Sequence, residues 1–110
     1  MKINPRIKSM MFTTPVTVFS VGRKDSAGDR LEQEPFTTYG YIYDEMKMVT
    51  NQLGEQELST RQIYLPEDSI VRIEGTSLIT CLDSEKARII QREEYRGRDG
   101  QTLIGVIYLP

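Results

Sequence analysis

The chain has 110 residues, 38% of them hydrophobic and 27% charged, with a formal net charge of -2 at pH 7, which suits one soluble domain around a single core rather than a disordered segment. Histidine is absent and Cys81 is the single cysteine, so an internal disulfide, a zinc ligand set, Ser-His-Asp or Cys-His catalysis and HExxH metalloprotease chemistry are all excluded. No apolar run approaches the ~20 residues that span a bilayer, and the first apolar stretch is broken by Thr13, Thr14 and Pro15, unlike a signal-peptide core; synthesis in the cytosol is the expectation.

Residues 1–14 show no sustained period and read as an extended N-terminal arm, with residues 15–110 forming one domain. Alternation begins at Pro15, where Val16 and Val18 face one side and Thr17, Phe19 and Val21 the other, a strand closed by Gly22. Residues 22–35 are polar, hold two glycines and end in Pro35, so they are expected to form an exposed hairpin loop. Phe36 to Tyr43 resumes as a strand, with Gly40 marking a bulge or a close backbone approach.

The segment from about 44 to 60 has mixed periodicity. Met46, Val49 and Leu53 fall at helical spacing and Met46 and Met48 at strand spacing, while Gly54 and the carboxylates after it stop a long element of either kind. It is expected to be an excursion loop or a short helix. Either it stands away from the body and exposes its methionines and Leu53, or Met46, Val49 and Leu53 pack back as a covering helix.

Beyond it the expected strands are Arg61–Leu65, Ser69–Glu74, Ser77–Leu82, Lys86–Tyr95 and Thr102–Leu109, with Asp99-Gly100 as the clearest hairpin turn. Ile63-Tyr64-Leu65-Pro66 recurs as Ile107-Tyr108-Leu109-Pro110, two strands ending in proline rather than a duplicated unit. Short strands at this spacing predict an all-β chain, a small antiparallel β-barrel that is closed or nearly so.

The global charge hides an asymmetry. Residues 1–30 carry six bases against two acids, a balance of +4, and residues 31–60 carry Lys47 against six acids, a balance of -5. A basic end and an acidic middle suit head-to-tail pairing between copies, against the plainer reading of a solvated surface. Glu93 and Glu94 beside Arg92 and Arg96 read as a solvated hairpin with ion pairs in preference to an acid–base pair. Asp25, Gly28 and Asp29 lack the alternating ligand pattern of a calcium loop, Cys81 among Leu78, Ile79 and Leu82 reads as a strand residue, and no phosphate-cradling glycine motif occurs. No metal, cofactor or catalytic group is expected. Tyr39, Tyr41 and Tyr43 point to one face, as a base-stacking platform would, but their neighbours Glu32, Glu34, Asp44 and Glu45 are acidic, so core or interface is the expectation, with a nucleic-acid-binding barrel as the alternative.

The plan is thus a basic arm, a β-barrel, an irregular insertion before the middle strands, and a last hairpin through Arg96-Gly97-Arg98-Asp99-Gly100 into Leu103-Ile104-Gly105-Val106-Ile107-Tyr108. In length and plan, over most of residues 12–110, the chain resembles the head-completion or stopper proteins of the head–tail connector of tailed bacteriophages. That resemblance implies a non-enzymatic virion protein of the neck: a homo-oligomeric ring, dodecameric when assembled, below the portal or adaptor ring and above the tail or tail-terminator protein, with double-stranded DNA passing through and no membrane contact. An adaptor or tail terminator of the same connector is the neighbouring reading. It further implies a channel gate in the insertion, formed by Met46, Lys47, Met48, Val49, Thr50, Asn51, Gln52, Leu53, Gly54, Glu55, Gln56 and Glu57. Asn51, Gln52, Glu55, Gln56 and Glu57 would line a channel without gripping phosphate. The arm before Pro15 departs from compact members of that group, and its Lys2, Arg6 and Lys8 are the expected inter-subunit contact.

Overall fold

The computed structural model describes residues 6, 10–19, 35–82 and 85–110. Nine strands are present among them: β1 (Thr14–Phe19), β2 (Phe36–Tyr43), β3 (Lys47–Thr50), β4 (Gln56–Ser59), β5 (Arg61–Pro66), β6 (Leu78–Cys81), β7 (Ala87–Arg88), β8 (Gln91–Arg96) and β9 (Thr102–Leu109); the short helix α1 (Glu67–Ile70) follows β5. Seven strands form a curled antiparallel half-barrel in the order β7-β6-β1-β2-β5-β9-β8, and β3 pairs with β4 in a separate hairpin. The all-β expectation holds.

The sheet curls around Val16, Val18, Ile63, Leu65, Ile79, Cys81, Ile107 and Leu109, the inward residues of alternating strands, joined by Ile70, Ile73 and Ile89. Gly40 in β2 is a close approach and not a bulge. A Cβ there would lie 2.9 Å from both Ile63 Cγ2 and Leu65 Cδ2, and the β1–β2 register runs through Gly40 without a shift.

Three departures from the alternation have physical causes. First, Ser69–Glu74 is not a strand: the chain turns into α1 after Pro66 and then through a turn to Ser77. Pro66 supplies no N–H to a ladder, Glu67 and Asp68 favour a helix start, and the core takes Ile70 and Ile73, a spacing of three that a strand cannot put on one face. Second, the expected strand Lys86–Tyr95 is split at Ile89 and Ile90, which are 3% and 1% exposed. β7 pairs with β6 at one edge of the sheet and β8 with β9 at the other, so the covalent chain spans the seam where a closed barrel would have a ladder. Third, the 44–60 segment is neither a loop nor a helix but the β3–β4 hairpin. The helical spacing of Met46, Val49 and Leu53 yields to a strand in which Val49 alone of the three is buried.

The last hairpin forms as expected, with Gly97 N–H on Gln101 O at 2.9 Å, Gly100 N–H on Gly97 O at 3.0 Å and Gly100 at φ +80°, where glycine carries no Cβ penalty. At the N-terminal end, Arg6, Met10 and Met11 are helical rather than extended and all exposed, and Phe12 is already buried. Lys2, Lys8 and nearly all of the 22–35 loop, including Asp25, Gly28 and Asp29, lie outside the described residues.

Candidate functional site: the hairpin and the tyrosine face

The register of four strands places the six tyrosines of the chain on the outer face of the sheet. Tyr41 faces Tyr64 across β2–β5, Tyr64 faces Val106 across β5–β9, and Val106 faces Glu93 across β9–β8. Two residues along, Tyr43, Gln62, Tyr108 and Gln91 form the next row, with Tyr39 and Tyr95 at the same parity of their strands. Tyr39, Tyr41, Tyr43 and Tyr95 are 44–54% exposed, whereas Tyr108 is 3% exposed. The alternating tyrosines of β2 are therefore not core, and Phe12 and Phe36 take the buried and half-buried aromatic positions instead.

Two carboxylates border this face. Glu93 Oε2 accepts from the hydroxyls of Tyr108 at 3.1 Å and Tyr95 at 3.4 Å. Burial, with Glu93 as the next cause, holds the Tyr108 phenol far above the ordinary tyrosine range. Burial also pushes Tyr64 up, helped by Tyr95 and by the charge of Glu45. Lys47 Nζ stands 5.4 Å from the centroid of the Tyr108 ring, a cation–π distance. Glu94 projects to the other side of β8, bonded to Arg92 at 3.1 Å and Arg96 at 3.3 Å. Glu93 and Glu94 are thus not brought together, and Arg92 instead caps α1 through the Ile70 carbonyl at 2.9 Å.

The hairpin lies beside this face and has two unlike sides. Met48 pairs with Leu58 and Thr50 with Gln56 on one side; Lys47 pairs with Ser59 and Val49 with Glu57 on the other. Val49, Asn51 and Ser59 are buried, and Val49 joins Ile90, Val106, Tyr108 and Tyr64 in a second apolar cluster. Met46, Met48, Leu53 and Leu58 point to solvent at 76%, 56%, 84% and 47% exposure. The turn is built by Asn51, whose Oδ1 accepts from the N–H groups of Leu53 and Glu55, both at 2.9 Å, and by Gly54 at φ +87°.

Polar side chains tie the hairpin down at both ends. At its root, Gln62, itself buried, donates to Glu45 O at 3.0 Å and Ser59 Oγ at 3.1 Å. Arg61 closes a two-point ion pair on Asp44, which holds the Asp44 carboxyl below its usual range. At the tip, Gln52 Nε2 donates to Gly75 O at 2.8 Å and Ile89 O at 3.1 Å, above a recess of about 270 Å³. Glu57 pairs with Arg88 and accepts from Asn51 Nδ2, and these partners, Arg88 first, lower its carboxyl pKa.

The twelve residues of the expected gate are therefore divided. Val49, Asn51, Gln52 and Glu57 hold the hairpin in place, and Lys47 covers Tyr108. Met46, Met48, Thr50, Leu53, Gly54, Glu55 and Gln56 are exposed. Of the arm residues only Arg6 is described, at the surface. Leu58, Gln62, Tyr64 and Tyr108 were not singled out by sequence reasoning as site residues; strand parity marks each, but only the cross-strand register shows what it joins.

Cys81 is 4% exposed, with the Arg61 guanidinium 3.7 Å from its sulfur. Among the described residues no group of three or more His, Cys, Asp or Glu side chains is arranged to hold a metal, and no helix is long and apolar enough to cross a membrane. Set beside known protein families and characterised proteins, the chain matches none of them.

Proposed function

We propose that this chain is a structural subunit of the head–tail connector of a tailed bacteriophage. In this reading it forms a ring below the portal or adaptor ring, its β3–β4 hairpin narrows the DNA channel, and its outer surface receives the tail. The observation that carries the reading is the two-sided hairpin. One side is anchored to the half-barrel, and the other, with the tip, offers Met46, Met48, Leu53 and Leu58 to water. An apolar edge of this kind is costly on a lone chain and useful where copies meet around an axis. Glu55 and Gln56 beside it carry no positive charge, so passing phosphate is not held.

The test is DNA retention. Filled, portal-bearing heads assembled without this chain are given the purified protein, and nuclease-resistant genomes are counted. The full chain is expected to retain DNA, and Met48→Asp with Leu53→Asp to release it, because both side chains are exposed and their replacement leaves the fold intact. Equal retention by that double variant removes the hairpin from the gate; no retention by the parent chain moves the protein to a tail-side joining role or out of the connector.

A second reading has one favourable observation, the half-exposed rings of Tyr39, Tyr41, Tyr43 and Tyr95, which could stack bases. The carboxylates of Glu45 and Glu93 stand against it, since a phosphate backbone needs basic neighbours. A gel shift that weakens steeply with salt would favour this alternative.

A further inference from the structure

We infer that the tyrosine face is the receiving half of a contact between two copies of this chain, and that its occupant is the basic segment 1–11 of the second copy. This deepens the ring reading above, on which it rests, by naming the contact between neighbours.

The face is built for cations. Four rings stand half exposed on the face that also carries Glu93, and a phenol that donates to a carboxylate, as Tyr95 and Tyr108 do to Glu93, has a more electron-rich ring. An ammonium or guanidinium over such a ring is attracted by its quadrupole. Among the described residues this contact is already used three times: Lys47 over Tyr108 at 5.4 Å, Arg72 over Phe36 at 4.0 Å and Lys86 over Phe19 at 4.1 Å. Only the first lies on the tyrosine face, and it leaves Tyr39, Tyr41, Tyr43 and Tyr95 at 44–54% exposure.

The charge pattern names the occupant. Residues 1–11 hold Lys2, Arg6 and Lys8 and no acid, and Met1, Ile3, Ile7, Met10 and Met11 supply apolar side chains between them. Three of the six tyrosines belong to residues 31–60, the acidic third of the chain. Opposite charges on two different segments of one chain suit a heterologous contact, which closes into a ring when the rotation allows it. Among the described residues none covers the four rings, which stay half exposed.

The experiment reads the face directly. The chain has no tryptophan, so its intrinsic ultraviolet emission comes from these tyrosines alone. The full-length protein is titrated with a synthetic peptide of residues 1–11, with the same peptide carrying Gln at positions 2, 6 and 8, and with a single-stranded oligonucleotide. A saturable change with the basic peptide is expected, absent with the neutral one, and weakened at least tenfold by Glu93→Gln combined with Tyr39→Ser and Tyr43→Ser. Circular dichroism confirms that this variant is folded.

No saturation by about 1 mM peptide, the weak end of specific binding, overturns the inference. So does equal affinity in the variant, or a response to the oligonucleotide in place of the peptide. A change of emission in the undiluted protein on Lys2→Gln, Arg6→Gln and Lys8→Gln that does not vary with protein concentration assigns the face to the chain's own segment, and overturns the second copy as occupant. None of these readouts involves a phage particle, so the contact and the connector role can fail separately.

Discussion

Gln52→Ala isolates how firmly the hairpin is held. The substitution removes two hydrogen bonds, to Gly75 O at 2.8 Å and Ile89 O at 3.1 Å. Each is worth about 0.5–1.5 kcal/mol net, with the lower half of the range apt here because water reaches Gln52 and can replace the lost donor. The freed rotamers of the long side chain return part of that, which leaves about 1 kcal/mol of docking energy, or about a fivefold change in the docking equilibrium. An undocked two-stranded hairpin is marginal in water, so loosening the tip exposes the turn amides. Amide hydrogen exchange is the assay: Asn51 and Gly54, whose N–H groups are bonded inside the turn at 2.7 and 3.0 Å, are expected to exchange about fivefold faster, with β5 and β9 unchanged. Gly75→Ala approaches the same bonds from the other side, since a Cβ at that position would lie 2.4 Å from Gln52 Oε1. It is expected to match Gln52→Ala, and the double variant to add little to either, because both remove one interaction. Unchanged exchange at Asn51 and Gly54 would refute the idea that Gln52 docks the tip; an equal acceleration in β9 would show that hairpin and half-barrel open as one unit.

Three further outcomes follow from the same contacts. Gly105→Ala should cost about 3 kcal/mol or more, at or beyond the upper end of ordinary overpacking, because its Cβ would sit 2.0 Å from Ile70 Cγ1 beneath α1; thermal unfolding should shift down by at least about 12 °C at about 4 °C per kcal/mol, and a shift of only a few degrees would mean that α1 slides aside at little cost. Glu57 has its pKa held below the ordinary 4.5 by Arg88 and Asn51, so its contribution is present above 4.5 and is lost as pH falls through the lowered value. Hairpin exchange should therefore quicken on acidification below that range, and Glu57→Gln should remove this acid response while Arg88 stays in place. Burial raises the pKa values of Tyr108 and Tyr64, so in an ultraviolet titration these two phenols should ionise above the ordinary tyrosine value; the protection they confer is present below the ordinary tyrosine value and lost as pH rises through the raised one, and an unchanged high-pH end of the titration in Tyr108→Phe would refute the burial argument.

Where a strand's two faces differ in environment, alternation in the sequence was enough to read it. Val16 and Val18, Ile63 and Leu65, and Ile107 and Leu109 mark inner positions that the half-barrel buries, and Asp99-Gly100 marks its turn because a positive φ at low cost is a local property. Proline after a strand proved ambiguous: Pro66 ends β5 but also opens α1, and the choice depends on Ile70 meeting the space left by Gly105 across the sheet. No local signal contains that space.

The hairpin was harder to read because its apolar side chains are on the wrong side for a core. Met46, Met48 and Leu58 alternate toward water, while Asn51, Ser59 and Gln62 are buried, so hydrophobic periodicity points away from the buried face. Polar side chains replace an apolar stripe as the anchor, and hydrogen bonds to Gly75 O and Ile89 O join residues 23 and 37 positions apart, beyond the reach of any window. By itself the sequence determined an all-β chain, most of its strands, the absence of histidine and cysteine-pair chemistry, and a basic end beside an acidic middle, because composition and two-residue alternation are local properties. The tertiary structure decided that six tyrosines share one face, that the insertion is an anchored hairpin and that the chain crosses the open seam of the half-barrel at Ile89–Ile90, because each of these depends on cross-strand register, which only the packed sheet sets.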